Sequence, residues 1–358
     1  MTNYRQLVDE LSCRHTLCDA DMRKLISNAD NCNVSYLMEK ARAAADKIYG
    51  KDIYIRGLIE ISNYCRNNCY YCGIRRENSK AERYRLTASE IKECIDTGYK
   101  LGFRTFVLQG GEDAALTDDF LIGIIRDVKA QYDDCAVTLS LGERTCESYR
   151  RLYDAGADRY LLRHETADIG HYKMLHPADM SFDNRIECLK HLKEIGYQTG
   201  CGMMIESPYQ TVDYIIKDLR FIEKMKPHMV GLGPFVPHKD TRFAKYRAGS
   251  AALTLRVMSV IRLMMPDVLL PSTTALETIV GDAHKSGILA GCNVIMPNLS
   301  PEHAKAKYTL YNNKAVRGTE DALGLSVLKK NMECIGYNIV TGRGDCKRPD
   351  VKGMLPDV

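Results

Sequence analysis

Three cysteines that lie within eight residues are the clearest chemical feature of this sequence. They belong to the segment Cys65-Arg-Asn-Asn-Cys69-Tyr-Tyr-Cys72, which we call the cysteine loop. Three thiolates on one short loop can bind three irons of a four-iron cluster and leave the fourth iron without a protein ligand. That iron can chelate the amino and carboxylate groups of a bound molecule, and can then pass an electron into an adjacent sulfonium bond. The spacing therefore favours an iron–sulfur redox centre with one iron open to a bound molecule.

Zinc is the alternative metal for such a loop. Structural zinc sites are closed by four ligands, usually in two separated pairs. His164 and His171 are distant in sequence, and no second Cys or His pair stands out as a partner. The other cysteines are isolated along the chain, and we interpret them as small buried hydrophobic residues. We therefore favour an iron–sulfur cluster over zinc.

Alternating short β-rich segments and longer amphipathic segments must position this loop. The predicted strands lie near Ile53–Ile61, Thr105–Gln109, Val137–Leu141, Arg159–His164, Gly200–Ile205, Met229–Gly233, Leu269–Thr273 and Cys292–Met296. Helical patterns between them include Ala88–Leu101, Ser181–Ile195, Val212–Met225, Leu253–Met264 and Leu276–Ala290. Eight such repeats predict an α/β fold, a (β/α)8 TIM-type barrel with an N-terminal helical extension. We expect the extension at residues 1–50, the barrel at 51–311, and a C-terminal helix and tail at 312–358, mobile from about Gly342.

The predicted strands end in polar residues although their bodies are apolar. Barrel enzymes carry their chemistry at the C-terminal ends of the strands. The polar ends include Gln109-Gly-Gly-Glu112, Ser140-Leu-Gly-Glu143, Arg163-His-Glu-Thr166 and Thr273-Thr274. We therefore expect these segments to surround one active site beside the cysteine loop.

Composition excludes several other functional classes. The 50 basic and 46 acidic residues give a net charge of +4, and the basic residues are scattered, so we expect no nucleic-acid partner. No apolar run reaches the ~18 residues of a membrane-spanning helix, and the first residues lack the apolar core of a signal peptide. A cytoplasmic location keeps the 14 cysteines reduced.

The cysteine loop and its surroundings resemble the radical S-adenosylmethionine superfamily. The resemblance rests on the cysteine spacing, on the aromatic Tyr71, on the position after the first strand, and on Gly110-Gly111-Glu112 at the end of the second. It implies a [4Fe-4S] cluster held by Cys65, Cys69 and Cys72. It also implies that Tyr71 lies beside the adenine of S-adenosylmethionine, and that the Gly-Gly-Glu turn binds the amino group of its methionine portion.

Longer stretches, from Gly57 to about Tyr311, resemble the HydE-type family of [FeFe]-hydrogenase maturases. The matching segments include Arg83-Tyr-Arg-Leu-Thr87, Val107-Leu-Gln-Gly-Gly-Glu-Asp113, Thr138-Leu-Ser-Leu-Gly-Glu143, Ala157-Asp-Arg-Tyr-Leu-Leu-Arg-His-Glu-Thr166, Pro271-Ser-Thr-Thr-Ala275 and Asn293-Val-Ile-Met-Pro-Asn298. The resemblance implies that the residues around S-adenosylmethionine are Glu165, Arg185, Met229 and Tyr311, with Ser140 nearby. It implies that the inner substrate cavity is lined by Gln109, Thr138, Arg163, Thr273, Thr274 and Tyr308.

The family's reaction acts on a small iron complex, as the resemblance implies it. An iron that carries carbon monoxide, cyanide and a cysteine arrives from a partner maturase, and the 5′-deoxyadenosyl radical attacks this complex at sulfur. The product goes toward the diiron subcluster of the hydrogenase. The implied protein partners are another maturase, a scaffold protein, and an electron donor such as flavodoxin or ferredoxin.

Arg163 has a role that elementary chemistry supports independently. An arginine inside a barrel is costly unless it meets a carboxylate. It is therefore a candidate anchor for a substrate carboxylate such as that of cysteine, the alternative being an ion pair with Glu165 or Glu143. Simpler roles also remain open elsewhere. Arg185 would merely be exposed, and Thr273 and Thr274 would be β-forming residues at a strand end.

Three departures from the family pattern leave the substrate open. After the fifth strand the family usually has Gly-Leu-Pro-Gly-Gln-Thr, whereas this chain has Glu206-Ser-Pro-Tyr209-Gln-Thr211. Gly110 stands where a serine is common, and only Cys334 and Cys346 lie near the C-terminus, so no accessory cluster is expected. Alternatives are a divergent paralogue, a related mutase or sulfur-inserting enzyme (methylornithine synthase or biotin synthase-like), and a non-catalytic iron–sulfur carrier. Reductive cleavage of S-adenosylmethionine to 5′-deoxyadenosine separates the enzymes from the carrier.

Overall fold

The computed structural model describes residues 3–27, 31–314 and 321–348. Its strands are β1 (Asp52–Ile55), β2 (Gly57–Ser62), β3 (Thr105–Gly110), β4 (Ala136–Ser140), β5 (Arg159–Leu161), β6 (Gln198–Ile205), β7 (Met229–Pro234), β8 (Pro271–Ser272), β9 (Val294–Ile295) and β10 (Asn338–Val340). Its α-helices are α1 (Tyr4–Arg14), α2 (Asp19–Ser27), α3 (Asn31–Tyr49), α4 (Ala88–Lys100), α5 (Asp118–Gln131), α6 (Cys146–Asp154), α7 (Ile169–Leu175), α8 (Phe182–Ile195), α9 (Val212–Met225), α10 (Ala251–Met264), α11 (Thr274–Ile279), α12 (Ala283–Leu289), α13 (Glu302–Lys305) and α14 (Leu325–Glu333). Among these residues no helix is both long enough and apolar enough to cross a membrane.

The strands close into a parallel barrel, as the sequence predicts. One sheet has the order β2-β3-β4-β5-β6-β7 and the other the order β10-β1-β9-β8, and every pairing is parallel. Bridges from Met229 to Leu269 and from Leu58 to Asn298 join the two sheets on both sides. The result is a TIM-type barrel whose C-terminal strand ends form one opening, which we call the mouth, and whose N-terminal strand ends form the floor.

The outer helices begin where short hydroxyl side chains can satisfy their first N–H groups. Thr87 and Glu90 form a capping box at the start of α4. The N-cap hydroxyls of α5, α6, α8, α9 and α10 accept a hydrogen bond from the N–H three residues later; these caps are Thr117, Thr145, Ser181, Thr211 and Ser250. Each cap fixes where the chain leaves the mouth of the barrel, and therefore fixes the loops that build the site.

Two predicted elements are divided in the structure. The first strand splits at Arg56, because β1 pairs with β9 and β10 whereas β2 pairs with β3. The last predicted barrel helix becomes α11 and α12, which are separated where Asp282 adopts a left-handed conformation with φ of +69°. Strands β8 and β9 are only two residues long, so Thr273 lies beyond its strand rather than inside it.

Helices α1 to α3 pack on the barrel beside α10. The buried Arg42 on α3 donates from Nη1 to the carbonyl oxygens of Ile288 (3.0 Å) and Cys292 (2.7 Å). Arg220 on α9 contacts Asp19 at the start of α2 through its Nε, at 2.8 Å. These contacts to buried or charged groups fix the N-terminal helices against the barrel wall.

The segment after α14 closes the floor, which corrects the expectation that the chain is mobile from Gly342. Strand β10 pairs with β1, and Asp345 then accepts from Arg159 Nη2 and from Gln198 Nε2 (2.7 Å). Arg159 is fully buried, so its charge requires this carboxylate. Residues 349–358, which the same expectation covered, lie outside the described residues.

Replacement of Asp345 by asparagine tests this closure. Burial opposes ionisation of Asp345, but Arg159 and Arg343 lower its pKa well below the ordinary value. The carboxylate therefore stabilises the fold above the unfolded-state pKa of about 4, and this contribution is lost as the pH falls below that value. At pH 7 we expect Asp345→Asn to lower the free energy of unfolding by about 3 kcal/mol, because the Arg159 charge loses its partner.

Urea unfolding of the apoprotein at pH 7 and at about pH 3.5 measures this difference. The difference in the free energy of unfolding between wild type and variant should be smaller at the lower pH. Asp134→Asn is the matched control, since Asp134 pairs with Arg104 at the surface and should change stability by less than about 1 kcal/mol. An equal loss in both variants would contradict the role of Asp345.

Candidate active site

The cysteine loop follows β2 and is fixed at the mouth by bonds to distant segments. Tyr70 N–H donates to the Leu175 carbonyl (3.0 Å), and Gly73 N–H donates to the Leu310 carbonyl (2.8 Å). Arg83 donates to the carbonyl oxygens of Ile74 (2.8 Å) and Arg75 (2.6 Å) just beyond the loop. The loop is therefore held in one conformation by α7, by the segment after α13, and by its own C-terminal continuation.

The three thiols lie close enough to influence one another electrostatically. Burial raises the pKa of the Cys72 thiol to about 12, with a further contribution from Cys65. Burial and the charges of Cys72 and Cys65 raise the pKa of Cys69 well above its ordinary value. All three are half-buried and free of disulfides. A cationic group must therefore displace protons when it binds here.

The Gly110-Gly111-Glu112 turn packs directly against the cysteine loop. A Cβ atom at Gly111 would lie 2.2 Å from the Tyr64 carbonyl oxygen and 2.7 Å from the Cys65 Cβ, so only glycine fits. Arg66 N–H donates to the Glu112 carbonyl at 2.9 Å. The end of β3 thus lies against the loop, as required if both are to contact one bound molecule.

Glu112, Glu143 and Arg185 form a buried network at the mouth, although each comes from a different repeat. Arg185 Nε donates to Glu143 Oε1 (2.5 Å), and Arg185 Nη1 donates to the Arg163 carbonyl (2.8 Å). Glu112 Oε1 accepts from Glu143 N–H (2.9 Å) and lies 3.8 Å from Arg185 Nη2. Arg185 is 7% exposed, so the alternative that it is merely an exposed residue is wrong.

Tyr71 is oriented by a histidine that the sequence did not indicate. Tyr71 Oη lies 3.1 Å from His176 Nε2, and His176 Nδ1 lies 3.0 Å from the Tyr172 carbonyl. Burial, together with the nearby charge of Arg185, lowers the pKa of His176 to about 3, so the ring is neutral. A neutral ring whose Nδ1–H donates to Tyr172 must accept at Nε2. The Tyr71 hydroxyl therefore donates to His176, which fixes the ring of Tyr71 at the mouth.

The barrel interior below the mouth presents polar atoms without hydrogen-bond partners. Arg163 Nη2 lies 3.1 Å from Glu165 Oε2, which is the ion pair foreseen as the alternative. The geometry is nevertheless too poor for a hydrogen bond. Unpartnered buried atoms there include Arg163 Nε and Nη2, Glu165 Oε2, Thr138 Oγ1 and Thr273 Oγ1. Such atoms are costly to bury, and they indicate a cavity that binds a polar molecule.

The remaining predicted residues divide into two groups. Gln109 bonds the hydroxyl of the fully buried Tyr308, and Ser140 is half-buried at the end of β4. Thr274 opens α11, and Tyr311 is half-buried after α13. Met229, by contrast, begins β7, where its sulfur accepts from Arg56 Nη1 (3.0 Å) and packs with Tyr49 and Cys346. The structure does not bring Met229 together with the polar residues of the mouth.

The divergent segment after β6 adopts a conformation that normally favours glycine. Glu206 has φ of +54° and Tyr209 has φ of +68°, and these are the positions of the two glycines in the family pattern. A left-handed conformation costs a non-glycine residue about 1–2 kcal/mol. Glu206 Oε2 accepts from Ser250 N–H (2.5 Å), and Tyr209 Oη bonds Tyr246 Oη (2.7 Å). These two bonds compensate the strain and tie the segment to the loop after β7.

Sequence reasoning missed residues whose role depends on contacts between repeats. The sequence predicts Glu143 as a polar strand end and as an alternative partner of Arg163, but not as the partner of Arg185. His176 carries no signal, since it bonds a residue 105 positions away. Asp113 accepts from Ser62 Oγ (2.6 Å) and from Arg85 Nε (2.6 Å), and so joins the ends of β2 and β3. No local pattern distinguishes these side chains from solvated ones.

The side chains at the mouth fit a cluster that needs three thiolates, together with a polar cofactor beside it. Three neighbouring thiols lie against a glycine turn that a Cβ would fill, and unpartnered Arg, Glu and Thr atoms are buried inside the barrel. Within residues 3–27, 31–314 and 321–348, no three His, Cys, Asp or Glu side chains are arranged to hold a single metal ion.

Comparisons with known proteins agree with this geometry. Residues 59–222 match the family model of the Radical SAM superfamily. The chain is 40% identical to the [FeFe] hydrogenase maturase subunit HydE of Thermotoga maritima, covering 93% of this chain and 94% of that protein. It is 30% identical to 3-methylornithine synthase of Methanosarcina barkeri, over 84% and 85% of the two chains. The crystal structure of methylornithine synthase (PylB) superposes with a TM-score of 0.79 at 26% identity, covering 93% of this chain and 97% of that one.

Proposed function

The chain belongs to the radical S-adenosylmethionine superfamily and, within it, to the family of the HydE maturases, and from this premise we propose that it acts in assembly of the [FeFe]-hydrogenase diiron subcluster. The reaction begins with reductive cleavage of S-adenosylmethionine, and the substrate is a small iron complex that carries cysteine. The observation that carries the proposal is the unpartnered Arg163 and Thr273 atoms inside a barrel whose mouth holds three neighbouring thiols. The 40% identity over 93% of the chain supports the same choice.

Cys65, Cys69 and Cys72 would hold the [4Fe-4S] cluster, since they are the three thiols of one fixed loop. When bound, the cluster supplies one electron to the sulfonium of S-adenosylmethionine, which breaks into methionine and a 5′-deoxyadenosyl radical. Tyr71 would support the adenine, because its ring is fixed through His176. The Gly110-Gly111-Glu112 turn would receive the methionine amino group, since it lies against the cysteine loop.

Arg185 would stabilise the negatively charged part of bound S-adenosylmethionine indirectly, through the residues that it holds in position. It fixes Glu143 and the backbone of Arg163, and lies near Glu112, so one side chain aligns three repeats. Glu165, Ser140 and Tyr311 are proposed to lie around the same cofactor. For Met229 this role stays a prediction, since Met229 lies deeper in the barrel beside Arg56.

Arg163 would bind the carboxylate of the cysteine in the substrate, because its Nε and Nη2 atoms are buried inside the barrel without a hydrogen-bond partner. Thr138, Thr273 and Thr274 would add hydroxyl contacts, and the Gln109–Tyr308 pair would form another wall. The closed floor restricts access of water from below, which protects a reactive carbon radical.

A lysine mutase is the second candidate function. It is favoured by the 30% identity to 3-methylornithine synthase. The two candidates share the first half of the reaction, so only the substrate distinguishes them. The partners we propose for the maturase are another maturase, a scaffold protein and a flavodoxin or ferredoxin as electron donor. The cytoplasm is the proposed location.

Anaerobic reconstitution with iron and sulfide, followed by incubation with S-adenosylmethionine and a reductant, tests the proposal. We expect 5′-deoxyadenosine to form, and to form faster with a cysteine-bearing iron complex than with lysine. Stimulation by lysine alone would favour the mutase. No cleavage under any condition would leave only an iron–sulfur carrier.

Arg185 provides a further prediction. We expect Arg185→Lys to bind S-adenosylmethionine about tenfold more weakly, because lysine retains the charge but loses the planar fork that holds both Glu143 and the Arg163 backbone. Calorimetric titration of the reconstituted protein gives the affinity. Arg151→Lys is the matched control, since Arg151 is 44% exposed on α6 and should bind as wild type does. Equal affinity in Arg185→Lys would contradict the alignment role.

A further inference from the structure

A loop after β7 lies against the cysteine loop and carries four exposed cationic side chains. We call residues 239–247 the basic loop. Arg75 Nη2, just beyond the cysteines, donates to the Asp240 carbonyl at 3.1 Å. The Arg242 guanidinium lies 3.8 Å from the centre of the Tyr70 ring. Tyr70 directly follows Cys69 and precedes Tyr71. The basic loop therefore contacts the residue next to a proposed cluster ligand.

The positive charge of the basic loop is available to a partner. Lys239, Arg242, Lys245 and Arg247 are all exposed, and none of the four forms an ion pair with any residue that the structure describes. The single acidic residue of the loop, Asp240, is paired with Lys80 at 2.9 Å. The loop therefore has a net charge of +3 directly beside the cysteines.

The flank of the cysteine loop that lies against the Gly110-Gly111-Glu112 turn differs in charge. Its arginines are each neutralised by a carboxylate at short distance: Arg66 by Glu112 (2.9 Å), Arg85 by Asp113 (2.6 Å) and Arg144 by Asp118 (2.9 Å). An acidic protein that approaches the mouth would thus be attracted to the basic loop rather than to this flank.

An apolar surface lies within the same region. Tyr209 is 53% exposed and Tyr246 is 39% exposed, and their hydroxyls are bonded at 2.7 Å. The buried Phe243 supports both rings from below and also contacts Tyr70, with ring centres 6.4 Å apart. Aromatic residues surrounded by cations are typical of the centre and rim of a protein interface.

We propose that the basic loop, with Tyr209 and Tyr246, is the docking surface for an acidic one-electron donor protein. This inference rests on the proposed function, which requires one electron to reach the site from outside for each cleavage. In the docked complex the donor would lose one electron to the metal centre that the cysteines would hold, without transfer of a proton. The charge of the surface selects the donor and raises the association rate.

The test compares two reductants on the reconstituted protein. We expect the Arg242→Glu/Lys245→Glu double variant to be reduced by a reduced acidic flavodoxin at least about tenfold more slowly at low salt, with a weaker dependence on ionic strength. Reduction by dithionite should stay within about twofold of wild type, because a small reductant needs no docking surface. The readout is bleaching of the cluster absorbance, which does not require cleavage of S-adenosylmethionine.

Two further variants keep the result interpretable. Lys329→Glu/Lys330→Glu changes the net charge equally on α14, which packs against β10, and should behave as wild type with both reductants. Arg242→Gln/Lys245→Gln removes the charge without reversing it, and should give an intermediate rate with flavodoxin. An unchanged flavodoxin rate in Arg242→Glu/Lys245→Glu, or an equal loss with dithionite, would overturn the proposal. If wild-type protein is reduced normally but cleaves no S-adenosylmethionine, the proposed function fails while the docking surface stands.

Discussion

Cys69→Ala is expected to lose its iron and at least about a thousandfold of its 5′-deoxyadenosine formation. The reason is that a four-iron cluster needs all three thiolates of the loop, and the loop is held rigidly enough that no other side chain can move in. Removal of one ligand therefore eliminates the centre rather than weakening it.

Iron analysis, the absorbance spectrum and product chromatography after anaerobic reconstitution measure this effect. Cys146→Ala is the matched control, since Cys146 is exposed at the start of α6 and should retain wild-type iron content and activity. Retention of iron and cleavage in Cys69→Ala would show that the cluster is bound elsewhere.

Arg163→Ala is expected to separate the two halves of the reaction. The variant should retain its iron and still form 5′-deoxyadenosine, because the cysteine loop and Arg185 are unchanged and Arg185 bonds only the backbone of residue 163. Conversion of a cysteine-bearing substrate should fall by about a hundredfold or more. This corresponds to about 3 kcal/mol, the typical cost when a desolvated carboxylate loses its cationic partner.

The ratio of converted substrate to 5′-deoxyadenosine is the decisive measurement. Arg163→Lys should lose less than Arg163→Ala, since the charge remains while the second hydrogen bond is lost. Arg150→Ala, an exposed position on α6, serves as the control for the loss of one arginine. If substrate conversion is unchanged in Arg163→Ala, the residue serves only as the partner of Glu165.

The barrel and the cysteine loop were predictable because their signals are local. Strand bodies such as Phe106–Leu108 are fully buried, and consecutive apolar residues between turns predict them. The cysteine spacing needs no tertiary information. The left-handed caps at Gly102, Gly156, Gly196 and Gly291 also lie where helix patterns end, and all four have positive φ.

The network of Arg185, Glu143 and Glu112 could not be predicted from local signals. Arg185 meets Glu143 and Glu112 only because α8, β4 and β3 converge at the mouth, and nothing in the neighbourhood of each residue indicates its partner. The same limit applies to His176, whose short segment before a proline looks like an ordinary helix end. Such contacts are decided by topology rather than by composition.

The prediction that the chain is mobile from about Gly342 was wrong for a related reason. Gly342 to Arg348 is rich in charged and small residues, which is the composition of a mobile tail. Asp345 is instead the partner of the buried Arg159, which forms no other ion pair among the described residues. Arg343 and Arg348 in the same segment pair with Asp158 and Asp267. A polar composition therefore cannot distinguish a solvated segment from one that completes a core.

The partner of Arg159 has a consequence for how the chain is made. Arg159 is synthesised 186 residues before Asp345, and the barrel strands that enclose it leave the ribosome first. Until Asp345 follows, this arginine has no counter-charge and the floor of the barrel stays open to water. Domains generally fold as units during synthesis, but contacts so distant in sequence form slowly. Nascent chains should therefore reach their native state only after residue 345 has been synthesised, and chains truncated before residue 345 should be degraded rather than half-active.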